Sequence, residues 1–503
     1  MDPLAQWSTL VAMLIFFLIL AWISWRGYRK TEESVEDHFI ARGTIGALVI
    51  FLTSLGTAYS AFTFLGGPGY IYNRGIAGVI ILVGIAPITF PLMTMIGQRV
   101  WLLGKRYNYV TPADLLADRY PSAWVRTITA LICIVFPIFY IGVQYTGCGY
   151  IMNVLTDGLI PYEVGVIITG IFMSVYIALG GMRAVAWGDV LMAVLLVFGM
   201  LIIAAFGVAT VGLDLFQKAY AVKPQAFVIT RDPVLVWTIT IGSALSLPVW
   251  PQLWTKYYAT KNQRGTWGIG FGEQFGEVFV LGLCAILIGV SGMVLFPGLV
   301  GAEADRLTVL IASMMPIWAV APISIAALAA ALSTADAISL MIASVFTRDI
   351  YQRLISPTAS ERTAGRVGRI LCFIVSFLAL IFALNPPGMI VDIILDLSWP
   401  GVLVLLPPLL GALFWKRANT AGALGSLILG LVAVLATTYI WDTPFNIYQG
   451  IWGFVFGIIG LVLFSLLTKP PDPQIVEKFH GFFDKIPLRK IRTAEELQEY
   501  IKS

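Results

Sequence analysis

GTAYSAFTFLGGPG, residues 56–69, is the stretch whose reading decides the fold. It sits in an apolar segment that opens near Gly46 and runs for roughly thirty residues, whereas a membrane-crossing helix needs only about 20. Gly56, the small residues Thr57, Ala58, Ser60 and Ala61, and then Gly66-Gly67-Pro68-Gly69 interrupt it. In lipid a freed backbone N–H or C=O is costly by several kcal/mol unless protein, water or an ion satisfies it. A helix that surrenders backbone bonds at membrane depth is therefore expected to line a cavity, with carbonyls turned toward a cation. A glycine-rich packing face between helices would read the same way in isolation, so the rest of the chain has to separate the two.

The chain has 503 residues, 58% of them hydrophobic and 12% charged, with a mean hydropathy of +0.87. Soluble domains carry about 25% charged residues, so the composition is that of a membrane protein with many spans. A net charge of +4 gives no reason to expect nucleic acid. Cys133, Cys148, Cys284 and Cys372 lie in apolar runs without metal-ligand or redox spacing and read as core thiols. His38 and His480 fall in polar segments, which excludes a histidine relay or a histidine-ligated metal within the spans.

The first apolar run, about residues 7–25, has no Lys or Arg before it and Arg26, Arg29 and Lys30 after it. A cleaved signal has its charges in front, so this is a retained span. Further runs follow at about 44–73, 76–104, 123–154, 159–180, 186–212, 234–255, 267–296, 319–345, 367–384, 389–415, 420–440 and 447–468, thirteen spans in all. With the N-terminus outside, only Arg74, Lys218, Lys223, Arg231 and Arg306 of the 32 Lys and Arg fall on the outer side. The positive-inside rule thus predicts an external N-terminus and a cytoplasmic C-terminus, with no Lys or Arg left at mid-membrane. The tail beyond Lys469 is polar, and Thr493 with Glu496 reads as the capping box of a short helix.

Numbering the spans after the first as core helices 1 to 10, core helix 6 carries Gly242, Pro248 and Pro251 in IGSALSLPVWPQLW. Two interrupted spans five apart mark a five-plus-five inverted repeat with its site at the midplane. The expected layout is 1–43 for the extra helix and first loop, 44–212 and 213–415 for the two repeats, 416–468 for two added helices and 469–503 for the tail. Core helix 8 puts Ala330, Ser333, Thr334 and Ala337 on one small-residue face by their i, i+3, i+4, i+7 spacing. Hard cations take oxygen ligands, and two hydroxyls here plus carbonyls from core helix 1 make a neutral oxygen shell for Na+. Ser and Thr can also simply bond back to their own helix.

These features resemble the sodium/solute symporter family. The resemblance rests on Gly56-Thr57-Ala58-Tyr59-Ser60, on Ala330-Ala331-Leu332-Ser333-Thr334 followed by Thr347-Arg348-Asp349-Ile350-Tyr351, and on Gly180-Gly181 through Trp187-Gly188-Asp189, in family order over about residues 10 to 465. It implies an all-α, LeuT-like 5+5 inverted repeat and a sodium site formed by the carbonyls of Gly56, Tyr59 and Ala330 and the hydroxyls of Ser333 and Thr334. Asp189 matches the family's functional aspartate on the ion's exit route. Asp336 departs from the pattern, because relatives place a small or hydroxyl residue there; with Asp189 it is a candidate second cation or proton site. The stretches GGPGYIYNRG, PPGMI and WPQLWTKYYATK look most like the pantothenate and short-monocarboxylate permeases, which implies a small organic anion.

An ionised side chain at a helix centre costs about 2.5–3.5 kcal/mol on insertion scales. Asp189, Glu273, Glu277, Asp336, Asp392 and Asp396 must each face water, bind a cation or hold a proton; Glu273, Glu277, Asp392 and Asp396 are expected to line vestibules or cap helix ends. Candidate solute-lining groups are Thr57, Ser60, Thr63, Tyr140, Gln144, Ser243, Ser246, Trp250, Gln252 and Trp399. The expectation is a plasma-membrane symporter, not an enzyme, that imports a monocarboxylate or pantothenate-like anion with Na+. A proton-coupled symporter using Asp189 and Asp336, and a sodium-coupled amino-acid or sugar importer, remain open. The expected partners are the solute, Na+ and the bilayer, with no nucleic acid and a monomer sufficient.

Overall fold

The computed structural model describes residues 3–30 and 35–481, together with Phe483, Thr493 and Glu496. The described residues form helices without a named strand. Among the described residues eleven helices are long and apolar enough to cross a membrane, and a bent pair makes a twelfth pass. The thirteenth comes from a single helix of 50 residues, Tyr162–Val211. At 1.5 Å per residue it would be about 75 Å long, more than twice the hydrocarbon core. It turns at Gly181 (φ 56°, ψ −160°) and so divides into core helices 4 and 5.

Only glycine holds that backbone conformation without strain, and a Cβ there would also lie 2.7 Å from the Nδ1 and the carbonyl oxygen of His38. His38 is buried, although the sequence places it in a polar loop, and burial lowers its pKa to about 4. Gly181→Ala is expected to lose about 1–3 kcal/mol from the backbone alone. Thermal unfolding in detergent should register this as a clear drop in Tm; an unchanged Tm would mean that the turn can relax.

Core helix 1 is broken at the first of the two expected interruptions, within residues 56–61. Ala47–Ala58 and Phe62–Arg74 meet at 53°, and Tyr59 between them is extended (φ −103°, ψ 101°). The Gly66–Gly69 run is not the interruption. It continues the second half as helix, and its missing side chains let neighbours close in: a Cβ on Gly69 would lie 2.5 Å from the carbonyl of Ala304, and one on Gly67 2.9 Å from Leu281. Pro68 lies inside this helix directly after the wider π turn Phe62–Gly66, the kind of local adjustment by which a spanning helix accommodates a proline.

Core helix 6 breaks in the corresponding way. Pro233–Ser246 passes through a tight turn at Leu247–Val249 to Trp250 (ψ 122°) and restarts as Pro251–Ala259. The two broken helices are tied at their ends, where Ile45 N–H donates to Ala259 (3.0 Å) and Lys261 N–H donates to Ile45 (2.8 Å). Core helix 8, Ile317–Ile355, is the most enclosed of the described spans, with every residue from Ala326 to Val345 buried. Its far end is clamped by charge: Arg126 of core helix 3 (Ala123–Leu155) pairs with Asp349 and with Asp114 at 2.9 Å.

The tail folds back onto the same end of the bundle. Lys478 pairs with Asp118 (2.5 Å), Tyr107 donates to the Lys478 carbonyl (3.1 Å), and Phe479 is buried against the Tyr107 ring and the Arg119 guanidinium. Of the expected tail helix only the two cap residues are described. Thr493 N–H donates to Glu496 (3.2 Å) and Glu496 N–H to Thr493 Oγ1 (3.1 Å), the reciprocal bonds of a capping box. The rest of that helix lies outside the described residues.

Candidate functional site

The break in core helix 1 faces core helix 8. Ser333 Oγ donates to the Gly56 carbonyl at 2.6 Å and lies 3.2 Å from the Ala330 carbonyl; Thr334 Oγ1 donates to the Thr57 carbonyl at 2.6 Å. Both hydroxyls are fully buried. Thus Gly56, Ala330, Ser333 and Thr334 converge, with Tyr59 at the break itself. The Thr57 carbonyl joins them, a group the sequence suggested only as solute lining. All of these donors are neutral oxygens, a set that suits a hard monovalent cation without burying a fixed charge. Core helix 5 closes the third side, since a Cβ on Gly56 would lie 3.1 Å from the Asp189 carbonyl.

Below this oxygen cluster lies a charge that the sequence reading placed elsewhere. The inside-positive pattern assigned Lys256 to a cytoplasmic segment, leaving no basic partner in the membrane. Instead Lys256 is 1% exposed and points inward from the second half of core helix 6. Its Nζ stands 3.6 Å from Asp189 Oδ2, donates to the Thr53 carbonyl at 2.5 Å and bonds the Thr57 hydroxyl. Thr53 and Thr57 also donate to Asp189 Oδ2, the latter at 3.2 Å. Asp336, one turn from the Ser-Thr pair, is buried within electrostatic reach of Lys256 and Asp189. The signal was in the spacing: Lys256 follows Gln252 by four residues and shares its helix face.

On the other side of the break a cavity of about 40 Å³ is lined by Thr57, Thr63, Tyr140, Trp250, Gln252 and Trp399 of the expected set. That volume holds only a few waters. It is closed by an aromatic cluster, with ring centroids 5.8 Å apart for Phe62–Trp399, 5.1 Å for Tyr140–Trp250 and 6.5 Å for Trp250–Trp399, so a solute of several carbons enters only when these rings move. Ser60 and Gln144 do another job: Ser60 Oγ accepts from Phe62 N–H (3.1 Å) and Gln144 Oε1 from Ala61 N–H (2.9 Å), satisfying donors that the break frees. Ser243 and Ser246 are buried but do not line the cavity; Ser246 donates to the Ser243 carbonyl at 2.8 Å.

Two further acidic side chains line the cavity, Glu273 and Glu277 of core helix 7 (Gln263–Leu295), each 3% exposed. They are four residues apart and therefore on one face. Tyr59 donates its hydroxyl to the Glu273 carbonyl, tying the break to that face. Of the remaining acidic residues, Asp392 pairs with Arg74 at 3.4 Å and Asp396 accepts from Gln449 at 3.1 Å, both away from the break.

The model of the sodium:solute symporter family matches residues 38–430. The sodium/pantothenate symporter of Escherichia coli is 27% identical over 457 residues, 88% of this chain and 93% of its own. The sodium/proline symporter of Salmonella typhimurium is 24% identical over 494 residues, 94% and 95% of the two chains. Among solved structures, a substrate-bound, outward-open Na+-coupled sialic acid symporter superposes with a TM-score of 0.77 at 18% identity, covering 92% of this chain and 99% of that one. A nucleobase-cation-symport-1 family transporter in a closed conformation gives 0.55 at 14% identity, covering 88% and 97%. At these identities the structures speak for the fold, the all-helical LeuT-like class read from the sequence. The relatives and neighbours are secondary transporters rather than enzymes.

Proposed function

Because the chain belongs to the sodium:solute symporter family, with sodium as its coupling ion, we propose that it imports a small carboxylate-bearing solute by alternating access. The observation that carries this reading is the convergence of Ser333 and Thr334 on the carbonyls of Gly56 and Thr57, beside the aromatic-capped cavity. Na+ is held by Gly56, Tyr59, Ala330, Ser333 and Thr334, with the Thr57 carbonyl added. The solute lies against Thr57, Thr63, Tyr140, Trp250, Gln252 and Trp399. Ser60 and Gln144 keep the break open from behind. Two kinds of relative, pantothenate and proline symporters, carry carboxylates. The indole N–H groups of Trp250 and Trp399, buried without partners, are suited to receive one.

Asp189 and Asp336 form the second cation position, and in this fold the positive charge nearest Asp189 is the Lys256 ammonium. A single Na+ therefore suffices for the cycle. The N-terminus lies outside and the tail in the cytoplasm of a plasma-membrane protein, an orientation that the distribution of Lys and Arg supports. The test is uptake of labelled pantothenate and labelled proline by purified protein in liposomes, with an imposed Na+ gradient. Uptake should follow the Na+ gradient and stop without it. Uptake that persists without Na+ but collapses when a pH gradient is dissipated would overturn sodium coupling.

A further inference from the structure

The four buried acidic residues around the break outnumber the cations available to them. Asp189, Asp336, Glu273 and Glu277 are all at most 3% exposed, and the one basic side chain buried among them, Lys256, is committed to Asp189 and to the two threonines. Among the residues lining the solute cavity two are acidic and none is basic. Glu277 Oε2 is buried without a hydrogen-bond partner. So are Thr63 Oγ1 and Gln252 Oε1, acceptors in the wall of the same cavity. Buried polar atoms are otherwise nearly always satisfied, so three open acceptors around one small space ask for a donor from the ligand. Two donors, the indole N–H groups of Trp250 and Trp399, stand open in the same wall.

A plain carboxylate answers the two indoles and the Thr63 hydroxyl. It would leave the Glu277 and Gln252 oxygens without a donor. A ligand with a cationic nitrogen as well as a carboxylate answers both groups. We infer that the Glu277 face of the cavity, with Gln252 and Thr63, is a binding subsite for an ammonium group, so that the solute is an amino-carboxylate zwitterion rather than a simple monoanion. This rests on the symport reading above and narrows it. It also changes the electrical account: one Na+ moving with a zwitterion carries one net charge, and the membrane potential then adds about 2.3 kcal/mol per 100 mV to the driving force.

The test uses three matched pairs that differ only in the amine: alanine and propionate, proline and cyclopentanecarboxylate, and γ-aminobutyrate and butyrate. Thermal stabilisation of the purified full-length protein in Na+ is titrated for each, because a ligand stabilises the state it binds. In at least one pair the amine-bearing member should bind with clear preference. Glu277→Gln should weaken that member on the order of 30-fold, the lower end of the effect of truncating one partner of a buried charge pair, and leave its deaminated partner unchanged. The stabilisation by Na+ alone should survive in Glu277→Gln, which shows that the variant is folded. No preference for the amine in any pair, or a preference that Glu277→Gln leaves intact, overturns the inference while the Na+ response stands. A wild-type protein with no Na+ response overturns the symport reading and this inference with it.

Discussion

Ser333→Ala combined with Thr334→Ala should abolish the dependence of uptake on Na+ in the physiological range. Each hydroxyl now meets a carbonyl of the broken helix at 2.6 Å, and each would turn a lone pair to the ion. Hydrogen-bond-strength contacts to a charged group contribute about 1.5–3 kcal/mol apiece, so losing two raises the Na+ needed for half-maximal uptake by on the order of 100-fold or more. The measurement is the Na+ dependence of uptake and of thermal stabilisation, side by side. If the pair served only to staple core helix 8 to core helix 1, the double variant would be less stable, yet its Na+ midpoint would not move. Thr334→Ser, which keeps the oxygen, should stay near wild type in both.

The second large effect belongs to Lys256. Removing one member of a buried ion pair costs about 3–5 kcal/mol, whereas replacing both by neutral groups is often nearly neutral. Lys256→Met leaves the Asp189 carboxylate enclosed with only Thr53 and Thr57, and it also frees the Thr53 carbonyl that the amine holds at 2.5 Å. We expect a severe loss of folded protein in Lys256→Met and in Asp189→Ala, and substantial recovery in Lys256→Met with Asp189→Asn. Fluorescence-detected size exclusion after a heating series reads all three. Additive losses in the double variant would mean that the two side chains act separately and that the 3.6 Å approach contributes little. Recovery of Lys256→Met by high Na+ would show the ion entering the place of the amine.

Much of this architecture was legible before any coordinates. Two interrupted helices five apart and a small-residue face carrying adjacent hydroxyls each follow from a local rule about backbone or spacing. What escaped was set by tertiary context. The Gly66–Gly69 run looked like a second interruption after Gly56–Ala61 because glycine and proline disfavour helix in water. Within a tightly packed bundle the same residues serve as contact points, and the actual break falls at Tyr59, where Ser60 and Gln144 cap the freed N–H groups. Lys256 was misplaced because counting charges near span ends cannot tell a side chain directed to water from one directed to a buried aspartate. Glu273 and Glu277 were assigned to vestibules or helix ends; their i, i+4 spacing gave one face, and only the packing of core helix 7 against Tyr59 could say that the face looks onto the cavity.

The docked tail has a practical corollary. Residues 478 and 479 buckle the far end of the chain to the short helix Pro112–Arg119 between core helices 2 and 3. Trimming the chain at Thr468 to ease crystallisation would uncover Tyr107 and the Arg119 guanidinium and strip Asp118 of its cation. A fusion partner spliced in at residues 469–472 would instead leave the buckle fastened, and any strain it felt would report directly on movement of the loop beneath.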